Sequence, residues 1–193
     1  MSKKQGNPSR LNQPIKMHLP TSTTTQRLSI ERLALHNNKF IRELVNTEGW
    51  IQFIGNRSIY SDMNATTYIQ KIIDNPNLNY WVVQLKDTKT EIGLITFIKR
   101  DYLDHHDIGF AFLPNFQHHG YAYEASHAIL DSILAKDNCT HVLATTIPEN
   151  TKSIALLKKL GLSFEKEIEP NNVKLWVYGV QYHEEECIKN AIT

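Results

Sequence analysis

Cysteine is scarce in this chain. Of 193 residues only Cys139 and Cys187 are cysteine, and neither sits in a C-x-x-C pair. That excludes a disulfide framework and reads as a cytoplasmic protein of a reducing compartment. Cys139 falls between an expected helix and strand with no base nearby in sequence, so it reads as a buried or idle thiol. An excess of one charge is also missing. The 21 Lys and Arg against 20 Asp and Glu leave a net charge of +1, so no whole-chain field draws the protein to nucleic acid or to a membrane. No run approaches the ~20 apolar residues of a membrane span. Internal repeats and a Pro/Gly-rich linker are absent as well. With 41% apolar and 21% charged residues, the composition is that of one folded domain rather than a disordered chain. Met1 to Ser22 is polar and lacks the apolar core of a secretory signal, so it reads as a flexible leader. The domain is expected over 23–185, with 186–193 as a tail.

Helical and strand periods then alternate along the chain. Thr25 to Leu33 predicts a first strand, with Leu28, Ile30 and Arg32 on one side. Asn38 to Val45 has helical spacing, Trp50 to Ile54 continues as helix or turn, and Asp62 or Asn64 caps a third helix. Tyr80 to Leu85 and Glu91 to Ile98 read as a hairpin, followed by a strand over Asp107 to Leu113. A helix over Gly120 to Lys136, a strand over His141 to Ile147 and a helix over Asn150 to Leu160 come next, the last stopped by Gly161. Phe164 to Ile168 and Lys174 to Tyr182 read as a closing strand pair. The alternation of element types predicts a layered α/β or α+β domain. The strand–helix–strand–helix run in its second half is where ligands bind such sheets. The last strand is also a candidate to pair across a homodimer; monomer and homodimer both stay open.

The stretch Leu113-Pro114-Asn115-Phe116-Gln117-His118-His119-Gly120-Tyr121-Ala122 carries the chemistry. A strand ends at proline and a helix begins at glycine. The unpaired amides of such a helix start, with its dipole, suit a phosphate or pyrophosphate. It is not a Walker loop, which needs G-x-x-x-x-G-K. As a plain strand-to-helix turn the same residues would need no ligand. Ile108-Gly109-Phe110-Ala111-Phe112 precedes this stretch, and Asn150-x-x-Ser153-x-x-Leu156-Leu157-x-x-Leu160-Gly161 follows one strand later. Together with Gln117-x-x-Gly120-x-Ala122 they resemble the GNAT acetyltransferase superfamily. Thr25-x-Arg27-Leu28 and Ile54-Gly55 are similar to the RimJ/RimL branch, which acetylates ribosomal-protein N-termini. The resemblance runs from about Thr25 to Tyr182.

The resemblance implies a mixed α/β fold of the GNAT-like acyl-CoA N-acyltransferase type, a central mixed sheet with helices on both faces. It also implies an N-acetyltransferase moving an acetyl group from acetyl-CoA to a primary amine, with no metal, nucleic acid or membrane partner. The backbone of Gln117, His118, His119, Gly120, Tyr121 and Ala122 would hold the coenzyme A pyrophosphate. Phe112 and Leu113 would offer their backbone to the pantetheine arm, one N–H polarising the thioester carbonyl. Asn150 and Ser153 would lie near pantetheine and sulfur; as plain residues they are a helix cap and first-turn filler. Leu157 stands where many members carry a tyrosine acid, and Ser153 becomes the candidate acid toward the leaving thiolate. His118 stands where many have glycine. Asp107-Ile108-Gly109-Phe110 is similar to the branch's E-I-G-Y, which makes Asp107 the candidate base, directly or through water. A solvated strand-end carboxylate is the competing reading. The pairs His105-His106 and His118-His119 flank the same strand; adjacent loop histidines seldom converge on a metal, and a histidine base remains open. The helices between Asn38 and Asp74 would wall the acceptor. The acceptor is either a protein N-terminus or a small-molecule amine. The rival readings are a catalytically silent CoA-binding regulatory module and a CoA-independent interaction domain.

Overall fold

The computed structural model describes residues 19–134 and 141–181. Cys139, Cys187, the C-terminal tail and most of the leader lie outside the described residues. An eight-stranded sheet runs through the molecule in the order β1-β2-β3-β4-β5-β6-β8-β7. Its strands are β1 (Ser22–Thr24), β2 (Leu28–Arg32), β3 (Leu78–Leu85), β4 (Glu91–Lys99), β5 (His106–Phe112), β6 (His141–Thr146), β7 (Ser163–Ile168) and β8 (Leu175–Gln181). Five helices complete it: α1 (Asn38–Val45), α2 (Glu48–Phe53), α3 (Asp62–Ile73), α4 (Tyr121–Leu134) and α5 (Thr151–Lys159). All neighbouring strands are antiparallel except β5 and β6. The expected mixed sheet is therefore present.

Helices cover both faces, because alternate strand residues feed two separate cores. On one face Phe40, Ile41 and Leu44 of α1, Trp50 of α2 and Ile69 of α3 pack on Val82 and Leu94. On the other, Ala125, Ile129 and Ile133 of α4 pack with Leu157 of α5 on Trp81, Val83, Ile95 and Phe112. The helical spacing read in the sequence places these side chains on one stripe of each helix.

Three local expectations are corrected. The single strand over Thr25 to Leu33 is a hairpin: β1 and β2 pair antiparallel, Thr24 opposite Ser29, and the chain turns at Thr25–Arg27. Thr25 closes that turn twice, its amide donating to Leu28 O at 2.9 Å and its Oγ1 accepting from Leu28 N at 3.0 Å. The residues just before β1 are tied to the sheet, since Pro20 O accepts from Trp81 Nε1 at 2.8 Å and from Arg32 Nε at 3.1 Å. The cap of α3 is Ser61, not Asp62 or Asn64: Ser61 is extended at φ −132° and its Oγ accepts from Asn64 N at 3.1 Å. Finally, β8 lies between β6 and β7 with both edges bonded, so it cannot extend the sheet across a dimer. The free sheet edges among the described strands belong to β1 and β7.

Candidate active site

The parallel pair β5 and β6 meets only at Asp107 and Leu143. Beyond that point the two strands diverge, and a cleft of about 1280 Å³ opens between them and runs through to both faces. Ile108 to Phe112 line one side of it, Ala144 to Ile147 the other, and the start of α4 and α5 close one end. Trp50, Phe53, Arg57, Tyr80 and Arg100 line it toward the α1–α3 face. No side-chain pattern announces this splay, because it lies in missing backbone pairing.

The unpaired edge of β5 has a definite polarity. Leu113 N donates to Ile92 O at 2.9 Å, so that residue faces β4. Alternation turns the N–H and C=O of Phe112 the other way, into the gap. Gln117 Nε2 donates to Phe112 O at 3.1 Å, which leaves the Phe112 amide as the donor aimed at the cleft. The Leu113 carbonyl also accepts, from Phe116 N at 3.0 Å, so both its backbone groups have partners within the chain.

The loop into α4 fits an anion. Amides from His118 to Tyr123 donate to no acceptor among the described residues, the first helical bond being Glu124 N to Gly120 O at 3.0 Å. His118 at φ 65° and Gly120 at φ 81° both take the left-handed conformation that folds these amides toward one centre. Glycine adopts it freely, whereas a histidine there costs about 1 kcal/mol. That cost is the physical content of the His118 departure. The His119 ring is held by Gln117 O at 2.7 Å and stacks on Tyr121 at 5.7 Å. Arg27, which carried no site role in the sequence, reaches this loop: its Nη1 donates to His119 O at 3.1 Å and its guanidinium pairs with Glu124 at 2.6 Å.

Asn150 caps α5, its Oδ1 accepting from Ser153 N at 3.1 Å. The cap reading is realised, and both residues line the cleft as well. Leu157 is 1% exposed and belongs to the core.

Asp107 is not a solvated strand-end carboxylate. It is 2% exposed. Thr145 Oγ1 donates to its Oδ2 at 2.6 Å, and Arg100 Nη2 donates to its Oδ1 at 3.3 Å. Arg100 Nε lies 3.2 Å from Oδ2 without the alignment of a hydrogen bond. Burial raises the Asp107 pKa above the usual aspartate value, and the opposing Arg100 and Thr145 contacts do not cancel it. Nearby, burial raises Tyr80 far above the phenol range, reinforced by Tyr68, so its hydroxyl stays protonated. Sequence reading missed Thr145 and Arg100, whose only signal is their contact with Asp107 from β6 and from the residue after β4.

His105 packs on His141 at 4.6 Å and His106 stacks on Phe97 at 4.7 Å. Among the described residues no three metal-ligating side chains gather, and no helix is long and apolar enough to cross a membrane.

Residues 27–163 match the family model described as an acetyltransferase (GNAT) domain. The chain is 30% identical over 158 residues to the "uncharacterized N-acetyltransferase YnaD" of Bacillus subtilis (strain 168), covering 79% of this chain and 91% of that protein. The fold is similar to that of a GNAT-family acetyltransferase from Bacillus anthracis, with TM-score 0.70 and 22% identity over 83% of this chain and 98% of the other. It is also similar to a ribosomal-protein-S5-alanine acetyltransferase from Vibrio fischeri, with TM-score 0.73 and 17% identity over 86% and 98% of the two chains.

Proposed function

Because the chain belongs to the GNAT acetyltransferase family, we propose that it transfers an acetyl group from acetyl-CoA to a primary amine by direct attack in a ternary complex. The observation that carries this reading is the splayed β5–β6 cleft, which joins unpaired loop amides to one free strand amide. The amides of His118 to Ala122 and the α4 dipole hold the pyrophosphate. Phe112 N–H donates to the thioester oxygen and gains strength as negative charge develops there. When bound, acetyl-CoA would supply the carbonyl carbon that the amine attacks, and its C–S bond would break to release the thiolate.

The chain's own residues manage the protons. Asp107 takes the amine proton through Thr145, whose hydroxyl already donates to the carboxylate and so presents its lone pairs as acceptors. Ser153, in the first turn of α5, donates to the departing sulfur. The two substrates lie in one cleft, which makes positioning a large share of the rate.

The acceptor is a protein or peptide amine. The RimJ/RimL-like residues Thr25, Arg27 and Leu28 support this, as does a fold neighbour named for acetylating a ribosomal protein. The cleft's charges also support it. Toward the α1–α3 face the carboxylates Glu48 and Asp107 are matched by Arg57 and Arg100, so no acidic surplus attracts a polycation.

The first test is thermal unfolding with acetyl-CoA, coenzyme A or ATP. Ligand at 100 times its dissociation constant adds about 2.7 kcal/mol, or roughly 5–10 °C for a domain of this size. Shifts with both CoA forms and none with ATP support the reading. Absence of any shift at millimolar CoA would sink it. Binding without turnover on a broad amine panel would favour the silent regulatory module.

A further inference from the structure

Glu124 poses a problem for the anion site just described. It lies in the first turn of α4, whose free amides are to bind a pyrophosphate. A carboxylate there is attracted by the same dipole and repels the ligand. Glu124 is moreover held ionised: burial works against its charge, but hydrogen bonds from Thr25 and Arg27 outweigh it and lower its pKa.

The turn between β1 and β2 supplies the answer. Arg27 Nε donates to Glu124 Oε2 at 2.7 Å, and Nη2 lies 2.6 Å from the same oxygen. The Arg27 amide donates to Oε1 at 3.1 Å, and Thr25 Oγ1 donates there too. The remaining arm of the guanidinium donates to His119 O at 3.1 Å. Its carbon stands 4.4 Å above the Tyr121 ring, and its Nη2 would lie 3.4 Å from a Cβ at Gly120. One side chain from the turn beside the sheet edge thus contacts the loop at His119 and Tyr121, passes over Gly120 between them, and neutralises the carboxylate beside them.

We propose that Arg27 is a positioning residue for coenzyme A. It turns the His119 carbonyl away from the ligand, leaving the amides of the loop to face it. It also cancels the Glu124 charge that would otherwise oppose the pyrophosphate. The inference rests on the acetyltransferase reading, because it presumes that the loop binds coenzyme A. It adds a determinant that reaches the loop from a turn 92 positions earlier in the chain.

The test is calorimetric titration of free coenzyme A into wild type, Arg27→Gln, Glu124→Gln and the double variant, with unliganded melting as the fold control. Arg27→Gln is expected to weaken binding about tenfold. Glu124→Gln keeps Arg27 and binds at least as tightly as wild type. The double variant recovers part of the loss, because its missing cation no longer leaves a lone carboxylate at the site. A merely structural role would lower all melting points without this rescue. A folded Arg27→Gln binding within twofold of wild type overturns the proposal, as does a double variant no tighter than Arg27→Gln. If Arg27→Gln does not fold, Glu124→Gln decides, and weaker binding than wild type overturns it. Failure of wild type itself to bind coenzyme A is a different result: it removes the cofactor reading, and this inference with it.

Discussion

Asp107 sits between the Arg100 guanidinium and the Thr145 hydroxyl at 2% exposure, and its raised proton affinity makes two measurable statements. A base must be ionised to act, so the acid limb of kcat/KM is expected above the ordinary aspartate range, and Asp107→Asn removes that limb while lowering kcat/KM about 100-fold or more. The stability effect has the opposite sense to that of a salt-bridged surface carboxylate. The unfolded chain releases this proton at the usual value of 3.8, while the folded chain keeps it to a higher pH. The Asp107 contribution is therefore fully present below 3.8 and is lost as pH rises through the raised folded value. Subtracting the melting-point profile of Asp107→Asn from that of wild type isolates it. Thr145→Val separates relay from fold: its lost hydrogen bond costs about 1 kcal/mol of stability, whereas a role in proton transfer also costs at least tenfold in kcat. Wild-type kcat in a folded Thr145→Val would remove Thr145 from the proton path. Ser153→Ala is expected to lower kcat by less than about tenfold, because a thiolate needs little help to leave.

At the scale of elements, α5 and the β5 edge show what local sequence can and cannot announce. Asn150 was legible as a cap because asparagine at a helix start is a local preference, and Asn150→Ala is expected to cost about 1 kcal/mol in denaturant unfolding. The cost should extend to activity, since the same cap orients the first turn that carries Ser153. The alternation in β3, β4 and β5 was equally legible, as was the stripe of Ala125, Ile129 and Ile133 on α4. The β1–β2 turn was hidden. Thr25-Gln26-Arg27 contains neither glycine nor proline, and it turns through bonds to Leu28 and to Glu124, which is 99 positions from Thr25. The separate fates of Phe112 and Leu113 were hidden too. Which neighbour each backbone group faces depends on the register with β4, a tertiary property. The same holds for the partners of Asp107, contributed by residue 100 and by β6. The motif residues could be found in the sequence, but the contacts that tune them could not.

At the scale of the whole molecule, the proposed reaction would bring two unlike substrates to opposite mouths of one cleft, and the charges that line those mouths differ. Near α4 and α5, Lys152 and Lys159 line the opening beside the free loop amides. Toward α1 and α2, Glu48, Arg57, Arg100 and Asp107 balance. An anionic ligand entering the first mouth is steered by a field that salt screens over about 8 Å at physiological strength. The KM for acetyl-CoA is therefore expected to rise with ionic strength. A polycationic amine finds no compensating acidic wall at the second mouth, so a linear polyamine should be acetylated with a kcat/KM at least about tenfold below that of a short peptide with a free N-terminus. The comparison uses one enzyme preparation, saturating acetyl-CoA and both amines across a salt series. Salt should leave both rates nearly unchanged, because the balanced charges of the second mouth neither attract nor repel the polycation. A polyamine that outperforms the peptide at low salt, with an advantage that fades as salt is added, would mean that the acceptor mouth is effectively acidic. The protein-amine assignment would then give way to a small polycationic substrate.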